Sequence, residues 1–433
     1  MKAIVIGSGA DALVAAKLLS SSYEVTALAD AEPVEERGWV PPPVREVLGP
    51  QNVREELPDP WAVAPLPAGG RLELWRDVQR SAESIRRVSE RDAQRWPDFC
   101  ARMARLKQFL EKLYLEAPPD PLGLRFALRA RMLGRQGLTD LMRLLPMSVA
   151  ELLDDWFEND TLKGILGAAG VMGLRQGPRS GGTAFVFLHH HVGSPPGVFR
   201  PPRMAVAPVA DARVMGVRKI HVQGGRVRAI ALADGKELGA DLVVSNLQPQ
   251  RTLLALVDPA WLDPELVRAL RHVRSRGAAA RVTVQLDRAP GFRTLVHAPS
   301  LDDLERAYDD SKYNRASQRP YVEAHCDAAH RLEAHVQYVP EDTDTAALGV
   351  AVAALLSAHL GDAKMVSPPV VSLDPEPPPE LTLDQALWMR PLPQLAHYRT
   401  PIEGLWLCGP AMHPGPGILG ASGYNCARAI RGR

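Results

Sequence analysis

A chain of 433 residues, 46% hydrophobic and 23% charged, has apolar material for a large core and exceeds one ordinary domain, so two are expected. Its 51 Lys and Arg balance 50 Asp and Glu, which removes the long-range field that a nucleic-acid partner would need. Cys100, Cys326, Cys408 and Cys426 lack metal or disulfide spacing and read as reduced thiols in a cytoplasmic protein.

No apolar run is long enough to span a bilayer, and the first residues enter a strand rather than a secretory signal. Residues 3–6 form a short apolar run of the kind buried in a parallel sheet. A helix over 12–20 and a strand over 25–29 complete one βαβ unit. Residues 34–70 are Pro-rich and acidic without periodicity, and read as loop. From 72 to about 160 the pattern is helical, with Trp75, Val78, Ala82 and Ile85, then Met103, Leu106, Leu110 and Leu113, at helical spacing. Ser148-x-x-Glu151 is a capping-box signature.

Residues 206–231 alternate as strands do, with a hairpin turn at Gly224-Gly225. Residues 242–246 form a buried strand leading into a turn. Residues 281–286 and 335–338 read as strands of a second sheet, followed by a helix over 347–359. At the end, Leu405-Trp406-Leu407 enters a Gly/Pro-rich loop and then a helix of small residues.

Gly7-Ser8-Gly9-Ala10-Asp11-Ala12 matches the dinucleotide fingerprint with Ala12 in the third place. Gly7 allows the tight turn, and Gly9 lets backbone N–H groups approach a pyrophosphate at the helix N-terminus. Asp30 stands about 20 residues on, where an acid binds a ribose hydroxyl. Asp11 suits the dipole of its own helix but would stand near the phosphates, where like charges repel.

At the other end, Gly409, Gly415, Gly417 and Gly420 let the backbone pass close to a planar ring before a helix begins. The alternative is a loop packed for structural reasons alone. His413 lies inside it. His189-His190-His191 do not share a face and are read as packing or surface histidines rather than metal ligands. Arg125, Arg129, Arg131 and Arg135 among apolar residues form a basic amphipathic stretch, compatible with peripheral membrane contact or with a solvated face.

These residues resemble the phytoene desaturase and amine oxidase superfamily of flavoproteins, most of all its pyridine nucleotide-disulfide oxidoreductase domain-containing protein 2 branch. The most specific match runs from Leu405 through His413-Pro414-Gly415-Pro416-Gly417 to Asn425. Arg390-Pro391, Tyr398-Arg399-Thr400-Pro401, Gly181-Gly182-Thr183, Val243-Val244-Ser245-Asn246 and Gln337-Tyr338-Val339-Pro340 extend it along the chain. The resemblance implies an α/β fold: a discontinuous Rossmann-like FAD domain of the two-dinucleotide-binding type (1–70, 205–260, 385–433), with an inserted α+β substrate domain (71–204, 261–384). It also implies an FAD cofactor, with Gly7, Gly9, Ala12 and Asp30 on the ADP half. Gly409, His413, Gly415 and Gly417 would lie along the pyrophosphate, ribityl chain and ring.

Three segments depart from that pattern. After Asp30 the family's paired glycines are replaced by Ala31-Glu32-Pro33-Val34-Glu35-Glu36-Arg37-Gly38. A Gly-Gly-Met segment and its helix are lost around Pro201-Pro202-Arg203-Met204-Ala205, and a glycine-rich loop is missing before Arg390. All three fall where the family contacts flavin. The leading expectation is an FAD-dependent oxidoreductase removing hydride from a small, largely apolar substrate, with no catalytic acid or base identifiable. The alternative is a catalytically silent homologue, partnering a competent flavoprotein subunit.

Overall fold

The computed structural model describes residues 1–29, 36–118, 131, 133–206, 213–214, 216–276, 279–373 and 379–432. The expected βαβ unit is present as β1 (Lys2–Ile6), α1 (Ala10–Leu19) and β2 (Glu24–Ala29). Residues 34–70, expected as loop, instead hold β3 (Glu36–Gly38), α2 (Pro42–Leu48), β4 (Val53–Glu56) and β5 (Ala62–Pro65). Elements this short show no periodicity, and Pro42 opens α2 where a missing N–H costs nothing.

The helical pattern expected from residue 72 begins only after β6 (Arg71–Leu74). It then runs through α3 (Val78–Arg86), α4 (Glu90–Leu113), α5 (Gly134–Leu144), α6 (Val149–Trp156), α7 (Asp160–Val171) and α8 (Thr183–His191). Trp96, Phe99, Met103, Leu106, Leu110 and Leu113 recur at three- and four-residue spacing on α4 and are buried. Phe99 meets Phe157 and Phe199 with ring centroids 5.0 and 5.2 Å away. The capping box forms at α6: Ser148 Oγ accepts the Glu151 N–H at 3.1 Å, and Glu151 accepts the Ser148 N–H at 2.9 Å.

Next come β7 (Arg203–Val206), β8 (Arg213–Val214), and the hairpin β9 (Val217–Gln223) to β10 (Arg226–Leu232). Gly224 and Gly225 turn it with φ of 61° and 73°, the left-handed backbone that matches strand twist. β11 (Glu237–Gly239), β12 (Leu242–Ser245) and α9 (Pro264–His272) precede β13 (Ala279–Gln285) and β14 (Thr294–His297). Then follow α10 (Leu301–Lys312), β15 (Val322–Cys326), β16 (Arg331–Gln337), α11 (Thr345–Ser357) and β17 (Val370–Leu373). β18 (Leu405–Leu407) and α12 (Ala421–Ile430) close the chain.

One parallel sheet has the order β18-β12-β1-β2-β8, so the first strand lies at its centre and the last at its edge, with β12 between them. A second sheet has the order β17-β13-β16-β15-β14-β5-β6, and β3-β7-β4 form a small sheet of their own. Two contacts cross the expected domain limits. β5 joins the second sheet through Val63 and Leu295, although residue 70 was expected to end the first segment of the flavin-type domain. Leu266 and Leu270 of α9 are buried in the core of the parallel sheet, beyond the limit expected at 260. Composition along the chain does not register such pairings, because each joins residues far apart in sequence.

No helix among the described residues is long and apolar enough to cross a membrane. Of the basic stretch, Arg125 and Arg129 lie outside the described residues; Arg131 and Arg135 are exposed, and Leu138 and Met142 of α5 are 37% and 62% exposed beside them.

Candidate functional site

β1 ends at Gly7, whose φ of +125° is a backbone that side chains rarely allow; a Cβ there would lie 2.6 Å from the Asn246 Cβ. Its N–H donates to the Leu28 carbonyl at 2.8 Å, fixing the turn to β2. Gly9 is the N-cap of α1, and Ala12, only 3% exposed, packs into the core under the sheet. Asp30 lies outside the described residues.

The N-terminus of α1 is already engaged. The Ala10 N–H donates to Glu36 Oε2 at 2.8 Å, and a Cβ on Gly9 would strike the same carboxylate. Burial raises the pKa of Glu36 against this hydrogen bond. Asp11, expected beside the phosphates in its own helix's first turn, serves a different helix: its Oδ1 accepts the Gly423 N–H of α12 at 2.9 Å. Burial pushes its carboxyl up to about 7, offset by the Gly423 hydrogen bond and reinforced by the charge of Glu36. Two side-chain acids therefore take the helix-terminal N–H groups and dipoles to which a dinucleotide's anionic phosphates would bind.

The C-terminal loop closes over the same turn. Gly409 donates to Ser422 Oγ at 3.0 Å, and Asn246 fills the space between Gly7 and Gly409. The His413 carbonyl accepts the Tyr398 hydroxyl at 3.1 Å, and its Nε2 lies 3.3 Å from the Leu113 carbonyl. Burial pulls its imidazole down to about 4, so it is neutral near pH 7.

Gly415 lies against Leu381 and Arg390, and the Gly417 carbonyl accepts the Trp39 N–H at 2.8 Å. The Leu419 N–H returns a 2.8 Å bond to the Trp39 carbonyl, and a Cβ on Gly38 would strike the Gly417 carbonyl. Residues 38–39 and 417–419 are thus in direct backbone contact.

Arg390 is fully buried, with no acidic partner among the described residues. Its Nη2 donates to the carbonyls of Pro379 at 2.9 Å and Pro410 at 2.6 Å, and burial pulls its pKa down to about 9. The three consecutive histidines are buried on α8, each tied to a different group. His189 joins the Tyr114 hydroxyl and the Pro416 carbonyl, His190 the Ala169 carbonyl, and His191 the Val198 carbonyl.

The structure therefore brings Gly7, Gly9, Gly409, His413, Gly415 and Gly417 into one neighbourhood, with Ala12 behind it. The sequence reading missed Glu36, Trp39 and Asn246 as occupants of that space. The available signal was the run of acids, Glu32, Glu35 and Glu36, in place of paired glycines.

The residues present do not fit FAD in this arrangement. Both helix N-termini carry carboxylates, and the two backbone segments that would flank the cofactor are bonded to each other.

A cavity of about 540 Å³ lies beyond Trp39, for Gly193 lines it and abuts the Trp39 indole. Its wall contains Arg37, Arg76, Arg200 and Arg203 with Glu55, Glu56, Glu323 and Glu333. Glu56 Oε2 lies 3.2 Å from Arg203 Nε and 2.9 Å from His325 Nε2. His325 is pulled down to about 4, first by burial and then by Arg203. Burial would raise Glu323, but Arg200 at 2.8 Å holds it below its ordinary value.

No family model matches the chain. It is 26% identical over 471 residues to pyridine nucleotide-disulfide oxidoreductase domain-containing protein 2 of Rattus norvegicus, covering 88% of this chain and 80% of that protein. It is 27% identical over 263 residues to the hydroxyneurosporene desaturase of Rubrivivax gelatinosus, covering 55% and 47%. An oxidoreductase from Methanosarcina mazei matches over 100% of both chains with a TM-score of 0.59 at 14% identity. A putrescine oxidase redesigned in its cofactor binding matches with a TM-score of 0.62 at 13% identity, over 100% of this chain and 98% of the oxidase. The resemblance read from the sequence is borne out, and the fold is the Rossmann-like α/β type expected. The proteins it resembles are oxidoreductases by description.

Proposed function

We propose that this relative of the phytoene desaturase and amine oxidase flavoproteins retains their fold but works without flavin, as a silent homologue that stabilises or regulates a competent flavoprotein subunit. The observation that carries the reading is the Glu36 carboxylate on the Ala10 N–H at 2.8 Å. A pyrophosphate approaching that helix end would meet Glu36 and Asp11, two acids in a site of low dielectric, before gaining any N–H group. Admitting it would also require breaking the Trp39 backbone bonds to Gly417 and Leu419. The three segments lost from the flavin-facing side of the sequence support the same reading.

The test is a titration of the purified chain with FAD, followed by flavin fluorescence and by absorbance in the visible flavin band. No saturable binding is expected. The double variant Glu36→Gly, Asp11→Asn, which frees one helix end and neutralises the acid at the other, is expected to bind FAD about tenfold more tightly or better. Saturable binding by the unaltered chain, with a flavin spectrum, overturns the reading.

A second reading, an FAD-dependent oxidoreductase removing hydride from a largely apolar substrate, is favoured by one observation. The strand, loop and helix from Leu405 to Asn425 are kept as one continuous piece beside the first glycine turn. It requires Glu36 and Asp11 to withdraw, and the same titration decides between the two.

A further inference from the structure

The cavity beyond Trp39 has its acids matched and two of its donors unused. Glu323 is paired with Arg200 at 2.8 Å, Glu56 with Arg203 at 3.2 Å, and Glu333 with Arg37 at 3.4 Å. By contrast, Nη2 of Arg203 and Nε1 of Trp61 are buried atoms without a hydrogen-bond partner among the described residues, and both residues line the cavity. Among the described lining residues, every unpartnered buried side-chain polar atom is one of these two donors. A buried donor left unpaired has lost its bond to water without replacing it, so an acceptor delivered to it gains correspondingly. Leu57, Met172, Val198 and Pro202 make other parts of the wall apolar. The volume of about 540 Å³ lies within the usual range for small-molecule sites.

We infer that this cavity binds a small amphipathic carboxylate, its oxyanion held by Arg203 and Trp61 and its apolar body lying along Leu57, Met172 and Val198. A charge-assisted bond from a guanidinium to a carboxylate is about twice as strong as a neutral one, which selects an anion over a neutral acceptor. The apolar wall selects a ligand with a hydrocarbon body over a bare inorganic anion. Arg37, Pro201, Pro202 and Arg203 of its wall belong to two of the segments expected to face flavin, so the inference rests on the reading that the chain works without flavin.

Isothermal titration calorimetry with decanoate, decylamine and inorganic phosphate tests it on the full chain. Decanoate is expected to bind once per chain. Decylamine, with the same body and the opposite charge, and phosphate, without a body, are each expected to bind about tenfold more weakly or not at all. Arg203→Met, which keeps the stem and removes the charge, is expected to weaken decanoate about tenfold or more. Trp61→Phe, which keeps a ring and removes only the N–H, is expected to weaken it by a smaller factor, and it carries the test if Arg203→Met does not fold.

Decylamine or phosphate binding as tightly as decanoate overturns the inference. So does unchanged affinity in a folded Arg203→Met, or, if that variant does not fold, in Trp61→Phe, and so does no heat with decanoate. Flavin binding is read in the visible band and decanoate binding by heat, so failure of one reading is distinguishable from failure of the other.

Discussion

Acidification from pH 7 to pH 5 is expected to remove several kcal/mol of stability, enough to bring the chain to the edge of unfolding. Four buried histidines carry much of it, His325 and His335 add to it, and Glu36, raised by burial, opposes it. Burial pulls His189 and His191 down to about 3, and His190 and His413 to about 4, from an ordinary 6.5. Below pH 6.5 the unfolded chain takes up protons that the folded chain refuses. Stability is therefore fully present above 6.5 and is lost as pH falls toward the folded values. At pH 5 each histidine accounts for about 2 kcal/mol, a figure that requires only that its folded pKa lie below 5.

Asp11 acts in the opposite direction. Its carboxyl is raised from 3.8 to about 7, so its stabilisation is fully present below 3.8 and disappears as pH rises through 7. Between pH 7 and pH 5 it returns about 2 kcal/mol. The histidines win by number. Urea unfolding followed by circular dichroism at pH 7, 6 and 5 measures the balance. Asp11→Asn, which imitates the protonated acid and keeps an acceptor for the Gly423 N–H, is expected to be more stable than the parent at pH 7, by a margin about 2 kcal/mol smaller at pH 5. Equal stability of the parent at pH 7 and pH 5 would mean that these histidines are not held neutral by the fold.

Gly423→Ala is expected to cost about 3 kcal/mol despite its position within α12. In an isolated helix the change would gain roughly 1 kcal/mol, because alanine is the better helix former. Here the new Cβ would fall on the backbone carbonyl of Asp11, where α1 and α12 meet. Backbone cannot give way as a flexible side chain does, so the helices must part and the Gly423 N–H to Asp11 bond is lost with them. Gly239→Ala is the control: a Cβ there meets nothing nearer than the Arg228 carbonyl at 4.0 Å, and stability should stay within about 0.5 kcal/mol of the parent. Equal stability of the two variants would show that the helices do not meet as closely as described.

Features set by near neighbours in the chain were legible in the sequence. The apolar run before Gly7 reads as a buried strand because a parallel strand covered on both faces must be apolar throughout. The Gly224-Gly225 hairpin and the Ser148 capping box are legible for a similar reason, since each is completed within a few residues. The second strand, loop and helix from Leu405 to Asn425 carry their own turn chemistry, and together with the first glycine turn they identified the fold.

The occupant of the space between those turns was decided only by tertiary structure. Glu36 reaches Ala10 across 26 residues, and Asp11 reaches Gly423 across 412. Neither separation leaves a periodic trace, and an acid in the first turn of a helix ordinarily serves that helix. Trp39 against Gly417 and Asn246 between the two glycine turns are contacts of the same kind. By itself the sequence determined the strands, helix starts and turns, because these depend on residues within one or two turns of each other. Whether the two glycine turns leave room between them depended on side chains from distant segments, whose positions exist only once the sheet is assembled.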